Sequence, residues 1–267
     1  MIHSNTYIHP DAVIDKNVKI DPFTVIHQNV EIGEGTWIGS NVTIMEGARI
    51  GKNCMIFPGA VISAVPQDLK FAGETSTVEI GDNTTIREFV TINRGTVDKM
   101  KTVVGSNCLI MAYSHIAHDC EVGDHCILSN SVQLGGHIKL GDWAIIGGMC
   151  AIQQYTHIGA HSYVGGGSMV NKDIPPFVKA VRHPISYGGV NSVGLKRRGF
   201  SNETIDHIAE VYRIIYNKGF NTSQALEHIE RELPASNESN AIATFVRESE
   251  VGIIKRAIKE NVEEEEY

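Results

Sequence analysis

Aliphatic residues recur at every sixth position along the first two thirds of the chain. Isoleucine occupies each such position from Ile2 to Ile62, and the series continues as isoleucine, valine or leucine to Val170. The series is broken by three acidic residues, Asp68, Glu74 and Asp98. A period of six fits neither an isolated helix nor a simple alternating strand, so the pattern indicates a repeat architecture.

Each six-residue unit also carries a small or β-branched residue two positions before its aliphatic residue, as Thr24 precedes Ile26. Residues two apart in a strand share one face, so each unit directs two side chains inward. Glycine often follows the aliphatic residue, as in Ile32-Gly33, where a chain that turns a corner gains from lacking Cβ. Three units make one triangular coil of about 18 residues, and stacking buries each aliphatic side chain under its equivalent. The sequence therefore predicts an all-β fold, a parallel β-helix.

Two polar segments interrupt the repeat, one near residues 63–77 and one near 93–103, and both contain proline or glycine. We predict that they leave the coil as loops. Ordered loops on a rigid scaffold commonly carry function. We therefore interpret the aliphatic columns as scaffold and expect function in the residues that depart from the repeat.

The C-terminal part of the chain has a helical pattern. Asp173-Ile174-Pro175-Pro176 cannot continue the coil in regular form, and the apolar spacing becomes helical from Ser201. We predict a β-helix domain over 1–190 and a helical domain over 191–267. The predicted helices run from an N-cap at Ser201 to Gly219, from Thr222 to a point before Pro234, and from Ser236 or Ser239 onward, with a solvated tail at Glu263–Glu266.

Composition and charge narrow the functional classes. The chain has 267 residues, 42% of them hydrophobic, and a formal net charge of -8, which argues against general nucleic-acid binding. No run of about 18 apolar residues occurs, and no signal-like segment precedes the repeat at Ile2. We therefore expect a cytoplasmic protein without a transmembrane segment.

The cysteines fit the repeat rather than a reactive site. Cys108 and Cys126 lie one coil apart, but a reducing compartment disfavours a disulfide between them. We predict that all five cysteines fill the small inward position two residues before an aliphatic residue: Cys54, Cys108, Cys120, Cys126 and Cys150.

The most polar stretch within the repeat runs from Tyr113 to Cys120 and contains His115, His118 and Asp119. One coil of about 18 residues places Gly136 above His118 and His137 above Asp119, and a second coil adds Gln154 above Gly136. The repeat therefore predicts one corner that collects His118, Asp119, Gly136, His137 and Gln154.

This corner has the chemical groups needed for acyl transfer to a hydroxyl. A histidine beside a carboxylate can act as a general base, and a glycine N–H can stabilise an oxyanion. Two alternatives remain open. The histidines can merely decorate an outer corner, or they can bind zinc, as three histidines do in hexapeptide-repeat carbonic anhydrases. His115 and His118 are three residues apart rather than five, so we assign no metal ligand and no cofactor.

A basic cluster lies at the junction with the helical region, between Asn191 and Phe200. Its paired arginines, Arg197 and Arg198, suit a diphosphate because guanidinium groups bind phosphate in a bidentate fashion.

Six motifs together carry a family resemblance that spans essentially the whole chain. They are QDLKFAGE from Gln67, VEIGDNTTIREFVTINRGT from Val78, HIAHDCEVGDHCILSN from His115, GGH from Gly135, AIIGGM from Ala144 and GLKRRGFS from Gly194. The chain resembles the UDP-N-acetylglucosamine O-acyltransferases that begin lipid A synthesis, a family of hexapeptide-repeat proteins with a left-handed coil. The resemblance implies transfer of a 3-hydroxyacyl chain from acyl carrier protein to the 3-hydroxyl of UDP-N-acetylglucosamine, by a homotrimer.

The resemblance also implies roles for individual residues. His118 matches the general base, Asp119 the carboxylate that orients it, and Gly136 the oxyanion donor. Gly166 matches the position that sets acyl length. The remaining positions associated with substrate binding are Gln67, Asp68, Lys70, His115, His137, Gln154, Asn191, Arg197 and Arg198.

Some positions depart from the family pattern. Asn93 and Gln153 stand where familiar members carry histidine, and Val193 where they carry glutamate, which affects the finer nucleotide contacts. The carrier protein is acidic by resemblance, so local basic residues are needed for docking despite the net charge of -8. The candidates are Arg87, Arg94, Lys99, Lys101, Lys172, Lys179 and Arg182.

Two other functions remain as alternatives. One is a related N-acyltransferase, or a CoA-dependent hexapeptide acyltransferase, that acts on another sugar nucleotide such as a 3-amino sugar. Lipid A N-acyltransferases usually carry an extra N-terminal domain, which the early start of the repeat disfavours. The other is a non-enzymatic binding array of the ice-binding kind. That function needs a regular outward threonine lattice, whereas the outward residues here vary in type.

Overall fold

The computed structural model describes residues 2–256, which form stacked triangular coils followed by helices. Each coil has three short strands, one on each of three faces, joined by tight corners. The strands are β1 (Tyr7–Ile8), β2 (Val13–Ile14), β3 (Lys19–Ile20), β4 (Val25–Ile26), β5 (Glu31–Ile32), β6 (Trp37–Ile38), β7 (Thr43–Ile44), β8 (Ala48–Ile50), β9 (Met55–Ile56), β10 (Val61–Ala64), β11 (Thr77–Ile80), β12 (Thr85–Ile86), β13 (Thr91–Asn93), β14 (Lys101–Val104), β15 (Leu109–Ile110), β16 (His115–Ile116), β17 (Glu121–Val122), β18 (Ile127–Leu128), β19 (Gln133–Leu134), β20 (Lys139–Leu140), β21 (Ile145–Ile146), β22 (Ala151–Ile152), β23 (His157–Ile158), β24 (Tyr163–Val164), β25 (Met169–Val170), β26 (Val178–Val181) and β27 (Ser186–Val190).

Every third strand pairs with the next in parallel, so the strands form three flat faces. The first face runs β1-β4-β7-β10-β13-β16-β19-β22-β25 and the second β2-β5-β8-β11-β14-β17-β20-β23. The third runs from β3 through every third strand to β24, then to β26 and the antiparallel β27. This topology confirms the predicted parallel β-helix.

The inward columns form the core that the sequence predicts. Isoleucines such as Ile26, Ile44 and Ile62 are fully buried, and the small positions between them are buried too. All five cysteines are buried and free, as expected for core filler. Because each aliphatic side chain is worth about 1.5–3 kcal/mol when buried, the columns are the main source of stability in the coil.

The strand registers locate both loops. His115 pairs with Gln133, eighteen positions later, as the repeat predicts. Val61 pairs instead with Thr91, thirty positions later, because residues of the first loop are inserted between them. Thr91 pairs with His115 across the shorter second loop. Each loop therefore leaves the coil and returns without disturbing the stack above it.

The chain turns its corners at a residue two positions after the glycine, and not at the glycine itself as we expected. The glycines that follow the aliphatic residues do not have positive φ; a Cβ on Gly33 would lie 2.7 Å from the Gly51 carbonyl carbon of the next coil. Glycine is needed at these positions because neighbouring coils approach too closely there to leave room for a side chain. The left-handed conformation falls two residues later, often on asparagine, as at Asn17 (φ 60°) and Asn41 (φ 58°).

The C-terminal helices agree with the predicted pattern and add one short helix. They are α1 (Ser192–Arg197), α2 (Asn202–Asn217), α3 (Thr222–Glu232) and α4 (Asn237–Glu248). Ser201 caps α2 and Ser236 caps α4, as predicted, whereas α1 was not predicted. Leu195 of α1 is buried, and the Tyr212 hydroxyl of α2 donates to the Pro176 carbonyl, which fastens the helices to the last coil.

The described residues include no helix with the length and apolarity needed to cross a membrane. The predicted tail at Glu263–Glu266 lies outside the described residues. The division into domains at residue 190 stays a proposal.

Candidate active site

The predicted polar residues lie together on one edge of the triangular β-helix, where the first and second faces meet. The His137 N–H donates to the His118 carbonyl (3.1 Å), and the Tyr155 N–H donates to the Gly136 carbonyl (3.1 Å). The His118 and His137 rings meet edge to face at 5.1 Å, and the His137 ring stacks on Tyr155 at 4.5 Å. We call this edge, defined by His118, His137 and Tyr155, the histidine corner.

His118 and Asp119 form a close pair at this corner. The distance from His118 Nδ1 to Asp119 Oδ2 is 2.8 Å, and the Asp119 side chain is fully buried. A carboxylate only accepts, so Nδ1 carries the proton of this hydrogen bond, and in the neutral ring Nε2 has the lone pair. No hydrogen bond within residues 2–256 engages Nε2, and its nearest carboxylate oxygen, Asp68 Oδ2, is 3.9 Å away. His118 therefore has an unoccupied basic nitrogen.

Asp119 is held by donors from the second loop. The Thr96 N–H donates to Oδ1 (2.9 Å), the Thr96 hydroxyl to Oδ2 (2.6 Å) and the Lys99 N–H to Oδ1 (3.3 Å). Burial raises the pKa of the Asp119 carboxyl, but the hydrogen bonds from Thr96 and His118 outweigh burial and hold its pKa below the usual value. Asp119 is therefore ionised at neutral pH despite its burial.

Gly136 packs directly against the His118 ring. A Cβ at this position would lie 2.6 Å from His118 Cε1 and 2.8 Å from Nε2. Its backbone is not left-handed, so space rather than conformation requires glycine. The Gly136 N–H has no hydrogen-bond partner among residues 2–256. The residue packed against the His118 ring thus has a backbone donor that no acceptor within residues 2–256 engages.

Two further histidines have surroundings that favour their neutral form. Burial, followed by the charge of His118, lowers the pKa of His115, whose Nδ1 lies 2.7 Å from the Thr91 hydroxyl. Burial also lowers the pKa of His137. Asp98 Oδ2 lies 3.1 Å from His137 Nδ1 but without hydrogen-bond geometry.

The sequence reasoning missed Thr96 and Asp98 as neighbours of this corner. A signal for Asp98 was available, because acids replace the aliphatic residue at only three positions of the repeat. Asp68 and Asp98 approach His118 and His137 respectively. The third, Glu74, accepts from the Val97 N–H (3.0 Å) and so joins the two loops. The sequence pattern does not distinguish Thr96 in this way.

Three side chains at this corner are close enough to hold a metal ion. One ligand atom from each of His118, Asp119 and His137 lies within 4.8 Å of the others. However, His118 and Thr96 already donate to Asp119 Oδ2, and two backbone N–H groups donate to Oδ1. A metal would have to displace these bonds, so the donor set fits the hydrogen-bond network better than the zinc alternative.

The predicted diphosphate site lies on another edge. Arg198 donates from Nη2 to the Trp143 carbonyl (3.0 Å), its guanidinium lies 5.2 Å from the Trp143 ring centre, and its buried Nη1 has no partner among residues 2–256. Burial lowers the pKa of Arg198. We call this edge, defined by His125, Trp143 and His161, the tryptophan corner; it joins the second and third faces. The structure thus separates Arg198 from His118 within one chain.

Asn191 and Arg197 differ in whether their side chains are free to contact a ligand. The Asn191 amide donates to the His161 carbonyl (2.9 Å) and accepts from the Gly194 N–H (3.3 Å), so it caps α1 and is buried. Its side chain therefore has a structural use that the sequence did not predict. Arg197 is exposed in the last turn of α1.

The other predicted site residues are spread around the coil. Gln67, Lys70 and Gln154 are exposed near the histidine corner, and a Cβ on the exposed Gly166 would lie 3.1 Å from the Gly148 carbonyl oxygen on the third edge. Among the departures from the family pattern, Asn93 is buried and its amide donates to the Val65 carbonyl (3.2 Å) at the base of the first loop.

A curated relative decides the family. The chain is 42% identical to the acyl-[acyl-carrier-protein]--UDP-N-acetylglucosamine O-acyltransferase of Thiobacillus denitrificans over 195 residues, which cover 73% of this chain and 76% of that protein. The chain belongs to the UDP-N-acetylglucosamine O-acyltransferase family. The family model "Udp N-acetylglucosamine O-acyltransferase; Domain 2" matches residues 173–254, and the hexapeptide-repeat transferase model matches residues 101–136. A third model, the GMPPB C-terminal domain, matches residues 2–103.

Solved structures of UDP-N-acetylglucosamine acyltransferases agree with this chain over nearly its whole length. The enzyme from Bacteroides fragilis 9343 is 52% identical with a TM-score of 0.94, and the match covers 96% of this chain and 100% of that one. The Acinetobacter baumannii structure is 41% identical with a TM-score of 0.93, and covers 95% and 99%. The superposition includes the hand of the coil, so the left-handed parallel β-helix is confirmed.

Proposed function

We propose that this acyltransferase moves a 3-hydroxyacyl chain from acyl carrier protein to the 3-hydroxyl of UDP-N-acetylglucosamine, the first step of lipid A synthesis. The observation that carries the proposal is the His118 ring. Asp119 holds it through Nδ1, its Nε2 has no hydrogen bond within residues 2–256, and it packs against Gly136, whose N–H likewise has no partner there. The acyl carrier protein and the sugar nucleotide are those in the names of the family relatives. Use of carrier-bound donors implies work in the cytoplasm.

The same geometry gives each residue one role. His118 Nε2 accepts the proton of the sugar hydroxyl as its oxygen attacks the thioester carbonyl carbon. Asp119 stabilises the resulting imidazolium, and the Gly136 N–H donates to the oxyanion of the tetrahedral intermediate. Collapse breaks the carbon–sulfur bond, and the imidazolium returns its proton to the departing thiolate. No covalent enzyme intermediate is needed, because the acceptor hydroxyl is itself the nucleophile.

The remaining site residues are proposed to bind the two substrates. Asp68 Oδ2 lies 3.9 Å from His118 Nε2 and His137 Nε2 lies 3.8 Å from Asp119 Oδ2, and with His115 these polar side chains can donate to or accept from sugar hydroxyls. Arg198 has an unpaired Nη1 suited to a phosphate oxygen. The other members of the proposed substrate set are Gln67, Lys70, Gln154, Asn191, Arg197 and, for acyl length, Gly166.

We propose a homotrimer because one chain does not bring the base and the arginines together. His118 lies on the histidine corner, whereas Arg198 lies on the tryptophan corner. Contact between the histidine corner of one copy and the tryptophan corner of the next unites them. The third face also carries half-buried outward aliphatic residues, Leu109, Ile127 and Ile145, which suit contact with another copy or with an acyl chain.

Most basic residues considered for carrier docking already have partners. Arg87 pairs with Glu88 (2.9 Å), Lys99 with Glu121 (2.6 Å) and Lys101 with Glu79 (3.1 Å). Lys172 donates to the Val251 carbonyl, and Arg94 lies over the Phe71 ring. The side chains of two candidates, Lys179 and Arg182, have no hydrogen bond or ion pair within residues 2–256, and these are the proposed docking residues.

A substrate panel tests this function. We expect product from 3-hydroxyacyl carrier protein with UDP-N-acetylglucosamine, at a kcat/KM at least about 10²-fold above that with the CoA thioester or the 3-amino sugar nucleotide. Mass spectrometry of the nucleotide product identifies the acyl chain and its linkage. Faster turnover of the CoA donor or the amino sugar would instead support the related acyltransferases.

Subunit complementation tests the shared site. His118→Ala and Arg198→Ala chains, mixed in one trimer, should recover activity at least about tenfold above either parent, because some interfaces then contain both intact residues. The matched control mixes His118→Ala with Asp119→Asn, whose changes fall on the same corner, and should recover nothing. Equal recovery in the two mixtures, or none in either, contradicts the proposed interface.

A further inference from the structure

Asp119, the carboxylate that orients the proposed base, accepts hydrogen bonds from the second loop on both of its oxygens. The Thr96 hydroxyl donates to Asp119 Oδ2 at 2.6 Å, the same oxygen that lies 2.8 Å from His118 Nδ1. The Thr96 N–H donates to the other oxygen, Oδ1, at 2.9 Å. Thr96 is buried and therefore contacts both carboxylate oxygens from a fixed position in the second loop.

The contact with Thr96 restricts the rotation of the Asp119 carboxylate, which the backbone does not fix. The carboxylate torsion of aspartate is broad, so burial alone does not fix the plane of the two oxygens. Thr96 supplies one donor to each oxygen, and with the Lys99 N–H, which donates to Oδ1 at 3.3 Å, these contacts fix that plane. His118 Nδ1 donates to Oδ2 of this carboxylate, so the direction of His118 Nε2 depends on how Thr96 holds Asp119.

The second loop is in turn fastened to the first. Glu74 accepts from the Val97 N–H (3.0 Å) with one oxygen and from the Ala72 N–H (2.8 Å) with the other. The first loop carries Asp68, whose carboxylate lies 3.9 Å from His118 Nε2. The first loop therefore approaches His118 through Asp68, and the second contacts Asp119 through Thr96.

We propose that Thr96 is a positioning residue for acyl transfer: its hydroxyl and N–H fix the Asp119 carboxylate so that His118 keeps the tautomer and direction that transfer requires. The inference rests on the proposed function. Thr96 itself reaches no substrate atom in this scheme and acts through Asp119.

Thr96→Val tests the inference because valine keeps the shape and removes the hydroxyl. We expect kcat to fall about tenfold, since a hydrogen bond to a buried charged group is lost, with KM for both substrates within about twofold. Thr96→Ser restores the hydroxyl and should bring kcat back to within about threefold of the parent. Unchanged kcat in Thr96→Val, or a rise in KM alone, overturns the inference.

Thr102→Val is the matched control. The Thr102 hydroxyl accepts from the Asp119 N–H at 2.8 Å, so this variant also removes a buried threonine hydroxyl that contacts Asp119, but from its backbone. We expect a lower melting temperature and a kcat within about threefold of the parent. A kcat loss equal to that of Thr96→Val would mean that general loosening explains both, which overturns the inference.

A double-mutant cycle separates positioning from structure. In the Asp119→Asn background, Thr96→Val should change kcat by less than about twofold, because the charged carboxylate it positions is gone. An undiminished tenfold loss there contradicts action through Asp119. If His118→Ala retains full turnover, the proposed base fails. If His118→Ala is inactive but the cycle is additive, the inference about Thr96 fails alone.

Discussion

Replacing His118 by alanine is expected to lower turnover by about 10²–10⁴ while leaving the protein folded. That range is the usual contribution of a general base. The loss should appear in kcat, because the side chain acts on the proton that moves in the transition state. Steady-state assays with acyl carrier protein thioester and UDP-N-acetylglucosamine measure it, and thermal melting checks the fold.

His27→Ala is the matched control for this prediction. His27 is a half-buried histidine that directly follows β4, several coils before His118, and its side chain has no hydrogen bond within residues 2–256. Its removal should leave turnover near that of the parent. Unchanged turnover in His118→Ala would exclude the proposed base.

Gly136→Ala is expected to lower turnover by about 10², the size of effect that a displacement of about 1 Å can cause. The added Cβ would lie 2.6 Å from His118 Cε1, so the imidazole must move off its position beside Asp119. The melting temperature should change little, because the Gly136 backbone is not left-handed and the residue lies at an outer corner. Turnover and melting are measured as for His118→Ala.

The steric cause can be isolated in the same protein. In the His118→Ala background the ring is absent, so Gly136→Ala has nothing to displace and should reduce the residual rate by less than about threefold. A full hundredfold loss in both backgrounds would mean that the change acts on the oxyanion donor rather than on the base. A loss in neither would remove Gly136 from the site.

The six-residue period predicts most of the fold and much of the candidate site. Because strands in a coil lie directly under their equivalents, a coil of about 18 residues predicts from the sequence alone that Gly136 lies beside His118. The contacts between Gly136 and His118, and between His137 and Tyr155, agree with that count. Local helix signals worked equally well, since Ser201 and Ser236 cap helices where expected.

The spacing of about 18 residues does not predict which residues meet wherever the chain leaves the coil. Thr96 and Asp98 belong to the second loop, whose path follows from its own hydrogen bonds and not from the repeat. No spacing rule could place the Thr96 hydroxyl on Asp119. The glycines after the aliphatic residues were likewise interpreted through local conformation, although contact with the next coil explains them.

The sequence by itself determined the parallel β-helix, its register, the buried columns and the cluster around His118, because these depend on a repeat that acts over short, regular distances. Only the tertiary structure decided how the two loops fold back on Asp119. It also decided that Arg198 lies on a different edge from His118, and that Asn191 caps a helix. Those features arise from contacts between segments far apart in the chain, and hydrogen bonds of that kind leave no period in the sequence.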